Sequence, residues 1–120
     1  MRSIDLSNKV AVVTGGSRGL GREMVLAFAE AGADVVIASR KLEACEAVAR
    51  EVEKLGRKAL PVAAHVGTWA DNDKLAEAAY AKFGRVDILV NNAGMSPLAP
   101  SLLETSEALF DKVIDVNFKG

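Results

Sequence analysis

The feature that most constrains this chain is its alternation of short apolar runs with helical patterns. The runs are KVAVVTG (9–15), DVVIAS (34–39), KALPVAAHV (58–66) and VDILVNN (86–92). Each is too short for a stable helix and most are rich in Val and Ile, so all four read as buried strands. Between them lie three segments with helical spacing. The first carries Leu20, Met24, Ala27, Phe28 and Ala31 on one face and stops at Gly32. The second places Leu42, Cys45, Val48, Ala49, Val52 and Leu55 inward and stops at Gly56. The third has Thr68 as its N-cap with Asp71 three residues on, an apolar stripe of Leu75, Ala79 and Phe83, and Gly84 as its stop.

Strands alternating with helices predict an α/β fold, a doubly wound parallel sheet with right-handed crossovers and helices on both faces. Pro61 gives an internal check, because proline lacks the ladder donor and belongs on an edge strand. In the order 3-2-1-4 the third strand is an edge, so pattern and topology agree. Beyond the fourth strand, AGMSPLAPS (93–101) reads as a loop. An apolar helical pattern then begins near Thr105 or Ser106 and includes Leu109, Phe110, Val113, Ile114 and Val116.

The first strand runs into Thr14-Gly15-Gly16-Ser17-Arg18-Gly19-Leu20-Gly21, which opens the first helix. Glycines there permit a tight turn and close approach of a pyrophosphate, and the helix N-terminus supplies free N–H groups and a favourable dipole. The alternative is that the glycines only allow close helix–strand packing. The second strand ends in Ser39-Arg40, where a carboxylate would accept hydrogen bonds from a ribose 2′-hydroxyl. A hydroxyl and a guanidinium instead suit a 2′-phosphate, with Arg18 adding a second positive charge. The pair favours NADP over NAD, although either arginine alone could be a solvated surface group.

With 120 residues there is material for about one domain and one core, taken here as 1–120. Half the residues are hydrophobic and 26% charged, which excludes a disordered chain. Fifteen basic residues against sixteen acidic, with no basic stretch, argue against a nucleic-acid partner. No segment approaches the ~20 apolar residues of a membrane span, so a cytoplasmic protein is expected. Cys45 stands alone, which excludes an intrachain disulfide, and it reads as a small buried hydrophobe. Metal binding by His65 is not expected, since it lacks a partner Cys or His.

These residues resemble the classical short-chain dehydrogenase/reductase family. TGGSRGLG (14–21) matches its glycine-rich turn, NNAG (91–94) the segment after its fourth strand, and Asn117 in DVNFKG the asparagine of its active site. The resemblance covers essentially the whole chain and implies a Rossmann-like sheet and hydride transfer between a nicotinamide and a carbonyl or alcohol carbon. It places Gly15, Gly16, Ser17, Arg18, Gly19, Leu20 and Gly21 at the pyrophosphate. Asn91, Ala93 and Gly94 would lie along the cofactor, and His65-Val66 beside the adenine, where His65 departs from the acidic residue usual in the family. Asn117 inherits a part in a water-mediated proton path. The family's serine and Tyr-x-x-x-Lys are not in this sequence: Tyr80, the chain's one tyrosine, is followed by Lys82 on the third helix and reads as an ordinary helix residue.

The expectation is therefore the N-terminal, cofactor-binding part of an NADP-dependent oxidoreductase, apparently truncated at Gly120. The 120-residue chain alone would be inactive, the fourth strand would have an exposed edge, and the last helix an uncovered apolar face. Small-molecule carbonyl or alcohol substrates, a lean toward carbonyl reduction and a homo-oligomer when intact are implied by the resemblance. Two other readings stay open: a non-catalytic NADP-binding or regulatory module, and a structural assembly domain using the last helix.

Overall fold

The computed structural model describes residues 5–65, 69–91 and 114–117. The elements run β1 (Val10–Thr14), α1 (Gly19–Glu30), β2 (Asp34–Ser39), α2 (Leu42–Lys54), β3 (Ala59–Ala63), α3 (Trp69–Phe83), β4 (Ile88–Asn91) and β5 (Ile114–Asn117). The strands form one sheet in the order β3-β2-β1-β4-β5, every described pairing being parallel. The expected order 3-2-1-4 is present, with Pro61 on the edge strand opposite Ile37. Each helix gives way to the glycine that the sequence marks as its stop, and Gly32, Gly56 and Gly84 all have positive φ.

Strand alternation divides the core into two layers. Ala11, Val13, Val35, Ile37, Ile88 and Val90 pack on one face with Val25 and Ala29 of α1 and Cys45, Val48, Ala49 and Val52 of α2. Val10, Val12, Val36, Ala38 and Leu89 pack on the other with Leu75, Ala76 and Ala79 of α3. The sheet is thus covered on both faces, as parallel sheets require.

Three expectations are corrected. The buried stripe of α1 is Gly21, Val25 and Ala29, one position on from the larger residues, and Leu20 is 53% exposed. The helix lies on its small residues because the sheet is close: a Cβ at Gly16 would stand 3.1 Å from both Val25 and Ile37 methyls. In α2 the central residues are buried as expected, but the terminal Leu42 and Leu55 are exposed.

The third correction concerns the last segment. Residues 114–117, expected in a helix, form β5 alongside β4 in the register Ile88↔Ile114 to Asn91↔Asn117. The β-branched Ile114 and Val116, two residues apart, suit a strand at least as well as a helix. The fourth strand is therefore not the edge. Thr68 and the remainder of the expected last helix lie outside the described residues.

Cys45 is fully buried, as expected for a packing residue, so a thiol reagent should titrate its one thiol per chain only after denaturant is added. Rapid labelling of the native chain would contradict that placement.

Candidate functional site

Parallel strands that share a register bring their C-terminal ends to one edge of the sheet. Thr14 is level with Ala38 of β2 and with Asn91 of β4, Ser39 with Ala63, and Asn91 with Asn117. The β1–α1 turn, Arg40, His65 and the backbones of Asn91 and Asn117 therefore emerge together. The strand order departs from β1 in both directions, which makes this edge the switch point where open α/β sheets bind ligands.

The turn is built by the backbone. Gly15 and Gly19 have φ of 64° and 58°, a region that side chains disfavour. Gly16 is buried against Ile37 and Val25, and its N–H donates to the Ala38 carbonyl at 3.3 Å. The two glycine readings thus divide by position: Gly16 serves packing, whereas nothing lies within 4 Å of a Cβ built at Gly19. Thr14 is fully buried, and its hydroxyl donates to the Val90 carbonyl at 3.3 Å, tying β1 to β4 directly beneath the turn.

Arg18, the N-cap residue of α1, is extended and makes no side-chain capping bond, and the helix's first turn contains no acidic residue. This start therefore suits an anion by geometry and charge. Ser17 is half-buried, and Arg18, Gly19 and Leu20 are exposed at the mouth of the turn. Arg22, one turn further on, is committed elsewhere: it forms an ion pair with Glu51 of α2, with Nε 3.0 Å from Oε2. Their hydrogen bond holds the Glu51 carboxyl below its ordinary range and raises Arg22.

At the end of β2, the Ser39 hydroxyl is 3.4 Å from the Lys41 carbonyl and 3.0 Å from Cys45 Sγ, so it faces the β2–α2 corner. Arg40 is exposed, and its Nη2 lies 2.8 Å from Nε2 of exposed His65. The His65 backbone N–H donates to Asp71 Oδ2 at 2.8 Å, which joins the end of β3 to the first turn of α3. Sequence reasoning assigned Asp71 to the helix start and missed this bond, because nothing in the spacing says which N–H the carboxylate will take. Val66, Ala93 and Gly94 lie outside the described residues.

Tyr80 is on α3, half-buried beside the layer containing Leu75 and Val86. Burial raises its phenol pKa, and the charge of Asp87 adds to the effect. A general base near neutral pH needs the opposite shift. Raising a folded-state pKa favours the protonated form, so this contribution to stability is present below the unfolded value near 10 and is lost as pH rises through the folded value. With one tyrosine in the chain, the 295 nm phenolate titration should have its midpoint above about 10 in the native chain and near 10 in urea. A native midpoint below 10 would reopen a catalytic role for Tyr80.

Among the described residues, no cluster of His, Cys, Asp and Glu could hold a metal ion, and no helix is long and apolar enough to cross a membrane.

A doubly wound sheet with a glycine-rich turn at its switch point defines a dinucleotide-binding fold. The family model described as short chain dehydrogenase matches residues 9–120, and the chain belongs to that family. It is 48% identical over 101 residues to an uncharacterized oxidoreductase of Mycobacterium tuberculosis, covering 84% of this chain and 38% of that protein. Among solved structures, a 7α-hydroxysteroid dehydrogenase complexed with NADH and 7-oxo glycochenodeoxycholic acid superposes with a TM-score of 0.74. It shares 38% identity with this chain and covers 78% of it and 36% of the solved chain. A 3-ketoacyl-(acyl-carrier-protein) reductase from Brucella melitensis complexed with NADH gives 0.69 at 48% identity, covering 76% and 36%. The chain thus spans less than half the length of these relatives. Dehydrogenases and oxidoreductases on a Rossmann-type, nicotinamide-binding sheet are the company this sequence keeps.

Proposed function

We propose that the intact protein is an NADP(H)-dependent oxidoreductase that moves a hydride between the cofactor and a small carbonyl or alcohol substrate. The observation that carries the cofactor choice is Arg40, an exposed guanidinium immediately after β2, at the edge where the glycine turn opens. The residues fit a dinucleotide: the α1 start takes the pyrophosphate on backbone N–H groups, and the clear space over Gly19 admits it. In this reading Gly15 to Gly21 and Arg18 hold the pyrophosphate, and Ser39 and Arg40 the 2′-phosphate. His65 and Val66 border the adenine, while Asn91, Ala93 and Gly94 run along the cofactor. Asn117 belongs to the proton path.

Bound NADPH would supply the hydride; this chain's part is to bind and orient it. The chain carries no Tyr-x-x-x-Lys segment, so the acid and base belong to sequence outside these residues. We further assign the intact protein to the cytoplasm as a homo-oligomer, working in the direction of carbonyl reduction.

Titration of the chain with NADP+ and with NAD+ tests the reading. NADP+ is expected to bind at least about tenfold more tightly, since hydrogen bonds to a charged group contribute about 1.5–3 kcal/mol. No turnover of NADPH by the 120-residue chain is expected. Equal affinities would overturn the cofactor assignment. Tight binding by a longer natural product without turnover of any carbonyl substrate would favour a regulatory module instead.

A further inference from the structure

The Arg40–His65 contact joins two strand ends that are 25 residues apart in sequence, at 2.8 Å. A guanidinium only donates, so His65 Nε2 accepts, and the imidazole in this contact is the neutral form with its proton on Nδ1. The two partners are anchored differently. The Ala64 N–H donates to the Ser39 carbonyl at 2.8 Å, carrying the β2–β3 pairing up to the residue before His65, and the His65 N–H is taken by Asp71. Arg40 begins the loop after β2 and is exposed.

We propose that His65 is a positioning residue for Arg40 and, through it, a determinant of selectivity for the 2′-phosphate of NADP(H); the inference rests on the NADP(H) reading above. A long exposed side chain loses rotamer freedom when it grips a ligand, and a hydrogen bond made beforehand from a fixed strand end reduces that loss. Only one of the five guanidinium N–H groups is spent on the imidazole, and the rest stay available for phosphate oxygens. A neutral acceptor suits this task. A carboxylate at position 65 would hold Arg40 as firmly but would cancel the charge the phosphate needs.

The test is a set of NADP+ and NAD+ dissociation constants for the chain, His65→Ala, His65→Gln, Arg40→Ala and the double variant His65→Ala/Arg40→Ala. His65→Ala is expected to lower the NADP+ over NAD+ selectivity about five- to tenfold, the size of one hydrogen bond's net worth, through NADP+ alone. The amide oxygen of His65→Gln can accept the same bond and should recover most of the ratio. In the Arg40→Ala background, His65→Ala should change the ratio less than twofold. Unchanged NAD+ affinity reports that each variant is folded. An unaltered ratio in His65→Ala, or the same loss with and without Arg40, overturns the positioning role while leaving the NADP(H) reading intact. A wild-type chain that does not prefer NADP+ overturns both at the first titration.

Discussion

Arg40→Glu is expected to invert the cofactor preference, weakening NADP+ binding by two to three orders of magnitude and leaving NAD+ binding no worse than in the wild type. Two effects add. The charge-assisted bonds to the 2′-phosphate are lost, about 1.5–3 kcal/mol. A carboxylate is then set against a phosphate of nearly two negative charges, which even at the water limit costs about 1 kcal/mol per charge pair at 4 Å. The sum, about 3–5 kcal/mol, converts to roughly 10² to 10³ in affinity. NAD+ has no phosphate to repel, and Glu at this strand end can accept hydrogen bonds from the 2′-hydroxyl. Arg40 is exposed and its described contact is to His65, so the fold should be untouched and the melting temperature unchanged within a few degrees. Calorimetric titration of both cofactors checks the effect, and NADP+ affinity within threefold of wild type would remove Arg40 from the site.

The parts of this molecule that were legible in the sequence are those specified by local chemistry. Val-rich runs bounded by turns became strands, Pro61 went to the edge, and three glycines ended three helices. Thr14 to Gly21 announced its own turn, because the positive φ of Gly15 and Gly19 is a property of the chain itself. The misreadings share a cause. On α1, the large residues Leu20 and Phe28 suggested the inward stripe, but small Gly21 and Ala29 lie against the sheet, because contact distance decides the face and periodicity does not report distance. At 114–117, Ile and Val two apart satisfy strand and helix periods alike, and pairing with β4 decided between them. Contacts such as Arg40 to His65 and Asp71 to His65 were invisible because they depend on where neighbouring strands end relative to one another.

The same limitation hid Asp87, a charged residue at the head of an apolar run that proves to be 5% exposed. Its Oδ2 accepts the Val10 N–H at 2.9 Å and Arg85 Nε at 2.8 Å, its Oδ1 accepts Arg85 Nη2 at 2.5 Å, and its own N–H donates to the Val10 carbonyl at 2.9 Å. The β1–β4 pair is thereby joined at both ends, by Asp87 and Val10 at the start and by Thr14 and Val90 under the glycine turn.

Asp87→Ala is expected to destabilise the chain by about 2–4 kcal/mol. Most of this comes from leaving the Val10 N–H buried without an acceptor, about 1–3 kcal/mol. Arg85 contributes less, because its side chain is 34% exposed and water can take over part of the lost interaction. For a chain this long the change corresponds to a fall of roughly 8–15 °C in melting temperature. Asp87→Asn keeps an oxygen for Val10 and gives up only the charge facing Arg85, so its loss should be about half as large. Equal losses in the two variants would mean that the ion pair, not the Val10 bond, holds the strands. The consequence reaches the far edge of the sheet: β1 carries the glycine turn and β4 carries Asn91, and their spacing there depends on a register set in part at Asp87. Cofactor affinity in Asp87→Ala, measured well below its melting temperature, should therefore fall severalfold although the substitution lies at the opposite end of both strands.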